Sequence, residues 1–278
     1  MVRRCGFPVL LALLLAGCGG TDTTGTEPTT TPITAQTGTT IAPTETVRFR
    51  VYYLEGENLQ AYGAEAVGEP TAQEAVEALV ANEDGRATAI PEGTRVLGVR
   101  SGGGEATVDL SRRFESGGGS LSLQARVAQI VYTLTQWPWL ERVTILLDGS
   151  EVEAIGGEGI PARQLERADF ENVLPAIFVE APLERDEVVS PLTVEGTARV
   201  FEANVSLRLE SGAGSVLAET FATASEGAPG RGDFEAVIPF DVDEPTEGTL
   251  VAYEVSADDA SEQRVVRVPV RLCPAAGC

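Results

Sequence analysis

The chain contains no histidine and no lysine, and its only methionine is Met1. Without histidine there is no Ser-His or Cys-His couple, no imidazole metal ligand and no imidazole pH switch. Without lysine there is no Schiff base, no Ser-Lys dyad and no phosphate-cradling P-loop lysine. Aromatic residues are scarce, at 6% with two tryptophans, which leaves little from which to build a sugar-stacking platform. Positive charge is short as well: 20 basic residues, every one Arg, face 42 acidic ones. A chain with that balance repels phosphate backbones, which argues against nucleic acid as a partner. It also resists anionic lipid surfaces, so membrane association has to come from an anchor. The surviving enzymatic options are paired carboxylates or oxygen-ligated Ca²⁺ or Mg²⁺. No small-molecule cofactor and no metal site is expected.

What is present begins with an address. Arg3 and Arg4 precede the apolar run "FPVLLALLLAG", which is too short to span a bilayer comfortably and reads as a secretory signal over residues 1–17. The run ends in Leu15, Ala16, Gly17 and Cys18, a stretch that resembles the lipobox of bacterial lipoproteins. The resemblance implies acylation of the Cys18 thiol and cleavage before it; a plain signal peptide with an incidental cysteine is the alternative. Two acyl chains give stable anchoring at about 0.8 kcal/mol per buried CH₂. That would place the protein on the extracytoplasmic face of the bacterial cell membrane. Residues 18–46 follow as a tether: 13 of the 28 residues after Cys18 are Thr, with Pro and Gly among them and almost nothing apolar to bury.

Length and a hydrophobic content of 43% suit about two ordinary domains with real cores. In the first, "VRFRVYYLEG" alternates at strand period and "LQAYGAEAV" supplies a second strand. "TAQEAVEALVA" opens on Thr71 with Glu74 three residues on, a capped helix. Two short strands, Arg95 to Arg100 and Ala106 to Leu110, join through a Gly-rich hairpin. From Leu121 to Gln136 the apolar residues Leu123, Val127, Ile130, Val131 and Leu134 make one buried stripe. Gln129, Thr133 and Gln136 fall on the other side, a candidate contact face. Pro138 stops this helix, a strand follows, and Asp148-Gly149 turns it into a hairpin. From Ala176 onward seven short alternating segments with turn clusters between them indicate an all-β sandwich.

The motifs "TAQEAVEALVA", "IPEGTRVLGV", "ATVDLS" and "QARVAQIVYTLTQWPWLERVTILLDG" occur here in the order seen in GerMN domains, which the segment 47–170 resembles. The resemblance implies a small α+β module with two helices on a mixed sheet. Residues 174–272, with "VEAPLERDEVVSPLTVEGTARVFEANVSLRL" and "GRGDF", resemble the immunoglobulin-like domain of bacterial spore-germination proteins, the Gmad family. Together they imply binding or assembly modules of the cell envelope, with an envelope protein complex or sensor as partner, and no enzyme. The rival readings are a His-free wall-glycan hydrolase using paired carboxylates and a structural spacer.

Other motifs invite bland readings. Arg231-Gly232-Asp233 is an integrin-type tripeptide but reads as a turn before a strand. The acidic stretch Asp241 to Thr249 has Pro245 and Thr246 where a Ca²⁺ loop needs a ligand and a glycine. Asp109, Glu141 and Asp148 suit turn and surface roles better than a hydrolase pair. With Cys5 removed and Cys18 acylated, Cys273 and Cys278 remain in the closing segment 273–278, a disulfide candidate worth about 2 kcal/mol; two free thiols are the alternative.

Overall fold

The computed structural model describes residues 45–156, 159–275 and 277–278, all within one compact unit, Pro43–Cys278. The expected signal peptide, the lipobox residues Leu15, Ala16 and Gly17, Cys18 and the tether up to residue 44 lie outside the described residues. Strand predominates and helices are few.

The first lobe opens with a long hairpin, β1 (Thr46–Glu55) and β2 (Asn58–Val67), in unbroken antiparallel register. Helix α1 (Ala72–Ala81) starts on the expected capping box. The Thr71 hydroxyl accepts the Glu74 N–H at 3.2 Å, and the Glu74 carboxylate accepts the Thr71 N–H at 2.8 Å. Strands β3 (Val96–Gly102) and β4 (Glu105–Leu110) pair antiparallel, with Gly103 and Gly104 at positive φ in the turn between them. Helix α2 (Ser120–Leu134) crosses over to β5 (Arg142–Leu147), which runs parallel to β4. The Asp148-Gly149 turn, both residues at positive φ, then leads into the short β6 (Ser150–Glu151). The sheet β3-β4-β5-β6 is therefore mixed. A small pair, β7 (Ala154–Ile155) and β8 (Ile160–Pro161), and a 3₁₀ segment, Arg167–Val173, close the lobe.

Among the described residues the second lobe has eight strands. A three-stranded sheet orders β14 (Gly232–Ile238), β11 (Leu192–Ala198) and β9 (Ile177–Ala181). A five-stranded one orders β10 (Glu187–Val189), β16 (Glu262–Cys273), β15 (Thr246–Val255), β12 (Asn204–Ser211) and β13 (Val216–Thr223). Each of the seven anticipated segments forms a strand, and β10 is the addition. Alternate residues from both sheets fill one core, among them Val194, Leu207, Leu209, Ile238 and Leu250.

Strand β9 serves both lobes. Phe178 belongs to the first core, whereas Ile177 and Val179 belong to the second, the outcome of side chains alternating across a strand. Its fit against β11 depends on Gly196, where the register shifts between Glu195 and Gly196. A Cβ there would lie 2.2 Å from the Phe178 carbonyl and 2.9 Å from the Phe234 ring. Gly196→Ala should therefore cost about 1–3 kcal/mol, read as a lowered urea midpoint at unchanged m-value; an unchanged midpoint would show that the strands separate freely.

Candidate functional site

The face of α2 expected to meet a partner is internal. Every residue from Ala125 to Leu134 is buried, including Arg126, Gln129 and Thr133, and Gln136 is half-buried. The burial of this face has a specific cause. Among the described residues strand β1 has β2 on one side but no strand on the other, and backbone groups on a buried edge need partners. Glutamines supply them. Gln136 accepts the Arg50 N–H at 2.8 Å and donates to the Arg50 carbonyl at 2.9 Å, reproducing a ladder pair with one side chain. Gln129 donates to the Tyr52 carbonyl at 2.8 Å and accepts the Ala89 N–H at 2.9 Å. The Leu54 N–H goes to the Ala87 carbonyl at 2.8 Å. The Thr133 hydroxyl has no hydrogen-bond partner among the described residues.

The same side of β1 leads to a polar cluster where the two lobes meet. Glu180 on β9 accepts the Tyr52 hydroxyl and an Arg167 Nη1–H, both at 2.7 Å. Its backbone carbonyl accepts Arg50 Nε–H at 3.0 Å. Arg167 Nε–H also reaches the Thr135 hydroxyl at 2.8 Å, and the guanidinium lies over the Tyr132 ring, 4.7 Å from its centroid. Tyr132 meets Phe178 edge-on at 6.0 Å and Tyr52 at 5.5 Å. Beside it lies a cleft of about 290 Å³, lined by Tyr132, Arg167, Glu171, Glu180, Arg231 and Asp233 among others.

The electrostatics are those of a closed set. Burial pushes the Glu180 carboxyl upward, but Arg167, the Tyr52 hydroxyl and Arg50 outweigh it and hold the group below the usual carboxylate range. Burial, then Glu180, drives the Tyr52 phenol far up, and burial does the same to Tyr132. Burial opposes the Arg167 charge, yet Tyr52 and Glu180 raise its proton affinity. Burial holds both phenols protonated, and each hydroxyl is engaged as a donor, Tyr52 to the Glu180 carboxylate at 2.7 Å and Tyr132 to the Arg167 carbonyl at 3.2 Å. The sequence signals Arg50 and Tyr52 only as one face of an alternating strand, because their partner lies about 130 residues away.

The remaining candidates are dispersed. Arg231 donates to the Thr197 hydroxyl at 3.0 Å and the Pro175 carbonyl at 2.6 Å, and Gly232 is paired within β14, so the tripeptide is a tie between segments. Asp109 accepts the Gly149 N–H at 2.9 Å, and Asp148 accepts the Arg112 N–H at 3.2 Å, both around the β5–β6 turn. Glu141 precedes the opposite end of β5, roughly 20 Å away along the strand. Cys273 and Cys278 are joined in a disulfide.

Two substitutions separate an internal role from a contact role. Gln129→Leu strands the Tyr52 carbonyl and the Ala89 N–H, and should cost about 2–4 kcal/mol by chemical denaturation; a loss below about 0.5 kcal/mol would return the residue to the surface class. Glu180→Gln should cost on the order of 3 kcal/mol at neutral pH by uncovering Arg167. Because the folded-state pKa of Glu180 is depressed, its contribution is present above the unfolded value of about 4.3 and fades as pH falls through the lower folded value. Thermal melts from pH 7 to pH 3 should thus show wild type and variant converging.

Two family models match the chain, "Sporulation and spore germination" over residues 50–153 and "Immunoglobulin-like domain of bacterial spore germination" over residues 176–261. No curated protein matches it. Among solved structures it is similar to the tandem GerMN domains of the sporulation protein GerM from Bacillus subtilis, at 18% identity and TM-score 0.41, covering 83% of this chain and 61% of that one. It is similar to the first GerMN domain of that protein at 23% identity and TM-score 0.36, covering 44% and 99%. A candidate lipoprotein from Clostridium perfringens follows at 20% identity and TM-score 0.34, covering 46% and 93%. At those scores the structural likenesses carry no weight, and the assignment rests on the two family models. The chain joins a GerMN-like module to a Gmad-type immunoglobulin-like module, both of the bacterial sporulation and spore-germination class.

Proposed function

We propose that this protein is a lipid-anchored lipoprotein on the extracytoplasmic face of the bacterial membrane, whose two modules bind and assemble envelope protein complexes without catalysing a reaction. The anchor reading rests on the basic start, the apolar run and Leu15-Ala16-Gly17-Cys18. Among the described residues no helix is long and apolar enough to cross a membrane. The non-catalytic reading is supported best by one observation: in the polar cluster between the lobes, Glu180, Arg167, Tyr52 and Tyr132 are engaged with one another and with backbone. The absence of histidine and lysine removes imidazole and amine bases and leaves carboxylates as the side-chain bases.

The assembly partner is an envelope protein complex or a sensor. A rigid pair of modules on a Thr-rich tether suits that task, since a tether supplies reach and the modules supply defined surfaces. Fractionation of cells carrying the full chain tests the address: the protein should pellet with membranes, and Cys18→Ala should move most of it to the soluble fraction. Retention of the variant in the pellet would remove the acyl anchor from the proposal.

A further inference from the structure

The end of the chain brings together the one group of three metal-ligand side chains found among the described residues. The Glu187 carboxylate and the sulfurs of Cys273 and Cys278 lie within 4.8 Å of one another. Two features assemble them. Strand β10 runs parallel to the end of β16, pairing Glu187 with Arg271 and Val189 with Cys273. Beyond β16 the chain turns back, with the Gly277 N–H donating to the Pro274 carbonyl at 2.8 Å and Gly277 at φ +91°. That turn leaves the Cα atoms of Cys273 and Cys278 5.1 Å apart. Two cysteines with four residues between them fall within the spacing of thiolate metal sites. In the structure the two sulfurs are bonded to each other, so neither is a thiolate.

We propose that reduction of the Cys273–Cys278 disulfide opens a site for one thiophilic divalent cation, Zn²⁺ or Cd²⁺, held by the two thiolates and the Glu187 carboxylate. The step balances with a dithiol as reductant. The dithiol gives two electrons and two protons and leaves as its own disulfide, and the protein gains two thiols. The cation then displaces both protons as two metal–sulfur bonds form. Sulfur donors select a soft or borderline cation over Ca²⁺ or Mg²⁺, and the carboxylate completes three of four tetrahedral positions, leaving one for solvent.

The surroundings suit the change. Arg271 Nε lies 3.9 Å from Glu187. Its Nη1 lies 3.5 Å from Glu247, so the guanidinium keeps a partner when Glu187 turns toward a cation. Cys273 is buried, whereas Glu187 and Cys278 are exposed, which gives a cation a way in without disturbing the core. The oxidised form caps the last strand, and the reduced form exchanges that staple for a metal staple. This goes beyond the assembly role and does not depend on it.

The full chain in detergent, reduced with dithiothreitol and freed of it under anoxic conditions, is titrated with Cd²⁺ while the sulfur-to-cadmium charge-transfer absorbance is followed. The Cys273→Ser/Cys278→Ser double variant, treated alike, supplies the background from other thiols. One equivalent should bind above that background in the reduced protein and none in the oxidised protein. Glu187→Gln should weaken binding by about tenfold or more, at least the loss expected from an outer partner of a metal site. Absence of a band above background would overturn the site. Equal affinity in Glu187→Gln would also overturn it, since only a bare dithiol would remain. A melting temperature of the reduced chain that rises with Cd²⁺ gives a second reading, independent of absorbance.

Discussion

A strand has two edges, and among the described residues β1 has a neighbouring strand on only one of them. The second edge is buried against α2, so its backbone groups need partners that the helix backbone cannot provide, being already satisfied within the helix. Gln129 and Gln136 resolve this by presenting amides that both donate and accept, as a strand would. The consequence reaches well past local stability. With the two glutamines fixed on Arg50 and Tyr52, the rotation of α2 about its axis is fixed too. Tyr132 is thereby set against Tyr52 and under Arg167, where the second lobe docks.

That docking is why two separately recognisable modules make one body. The family matches end at residue 153 and resume at residue 176, and Arg167, the cation at the centre of the junction, lies in the interval between them. Its segment joins the lobes in sequence and also bonds them in space, to Thr135 on one side and Glu180 on the other. A buried ion pair adds little when its desolvation is poorly repaid. Here both members have further hydrogen bonds, from Tyr52 to the carboxylate and from the guanidinium to a hydroxyl. Strand β9 completes the connection by sending Phe178 into one core and its neighbours Ile177 and Val179 into the other.

How much of this was legible depended on whether the signal was local. The capping box at Thr71 and Glu74, the Asp148-Gly149 turn and the seven strand segments of the second lobe depend on neighbours within a few residues, and each appears in the structure. Helix α2 was legible as a helix but not in its surroundings. Its polar residues fall on one side, the pattern of a half-solvated helix, yet they serve a buried strand edge. A glutamine facing water and a glutamine capping a strand have the same spacing, so periodicity cannot separate them. The junction was less visible still, because Tyr52, Tyr132, Arg167 and Glu180 come from four distant segments, and only the fold brings them together.

The absence of lysine has a structural counterpart at that junction. Arg48 pairs with Asp186, Arg86 with Glu184 at 3.4 Å and Arg167 with Glu180, while Arg50 reaches the Glu180 carbonyl. In every case the cation comes from the first lobe or the segment after it, and the acceptor from the second. The polarity is one-sided, so a chain carrying 22 more acidic than basic residues still presents an attractive seam between its halves. Arginine suits that seam because its planar fork holds several acceptors at once and tolerates loss of water better than an ammonium does. Arg126 illustrates the tolerance at its limit. It is buried, pairs with no carboxylate among the described residues, and is held by the Ala89, Phe114 and Gly117 carbonyls at 2.9, 2.6 and 3.0 Å. A lysine there would offer one compact charge to three divergent carbonyls, and burial would weaken its hold on its proton. The composition that leaves arginine as the only cationic side chain of the chain therefore also supplies the one that joins its two modules.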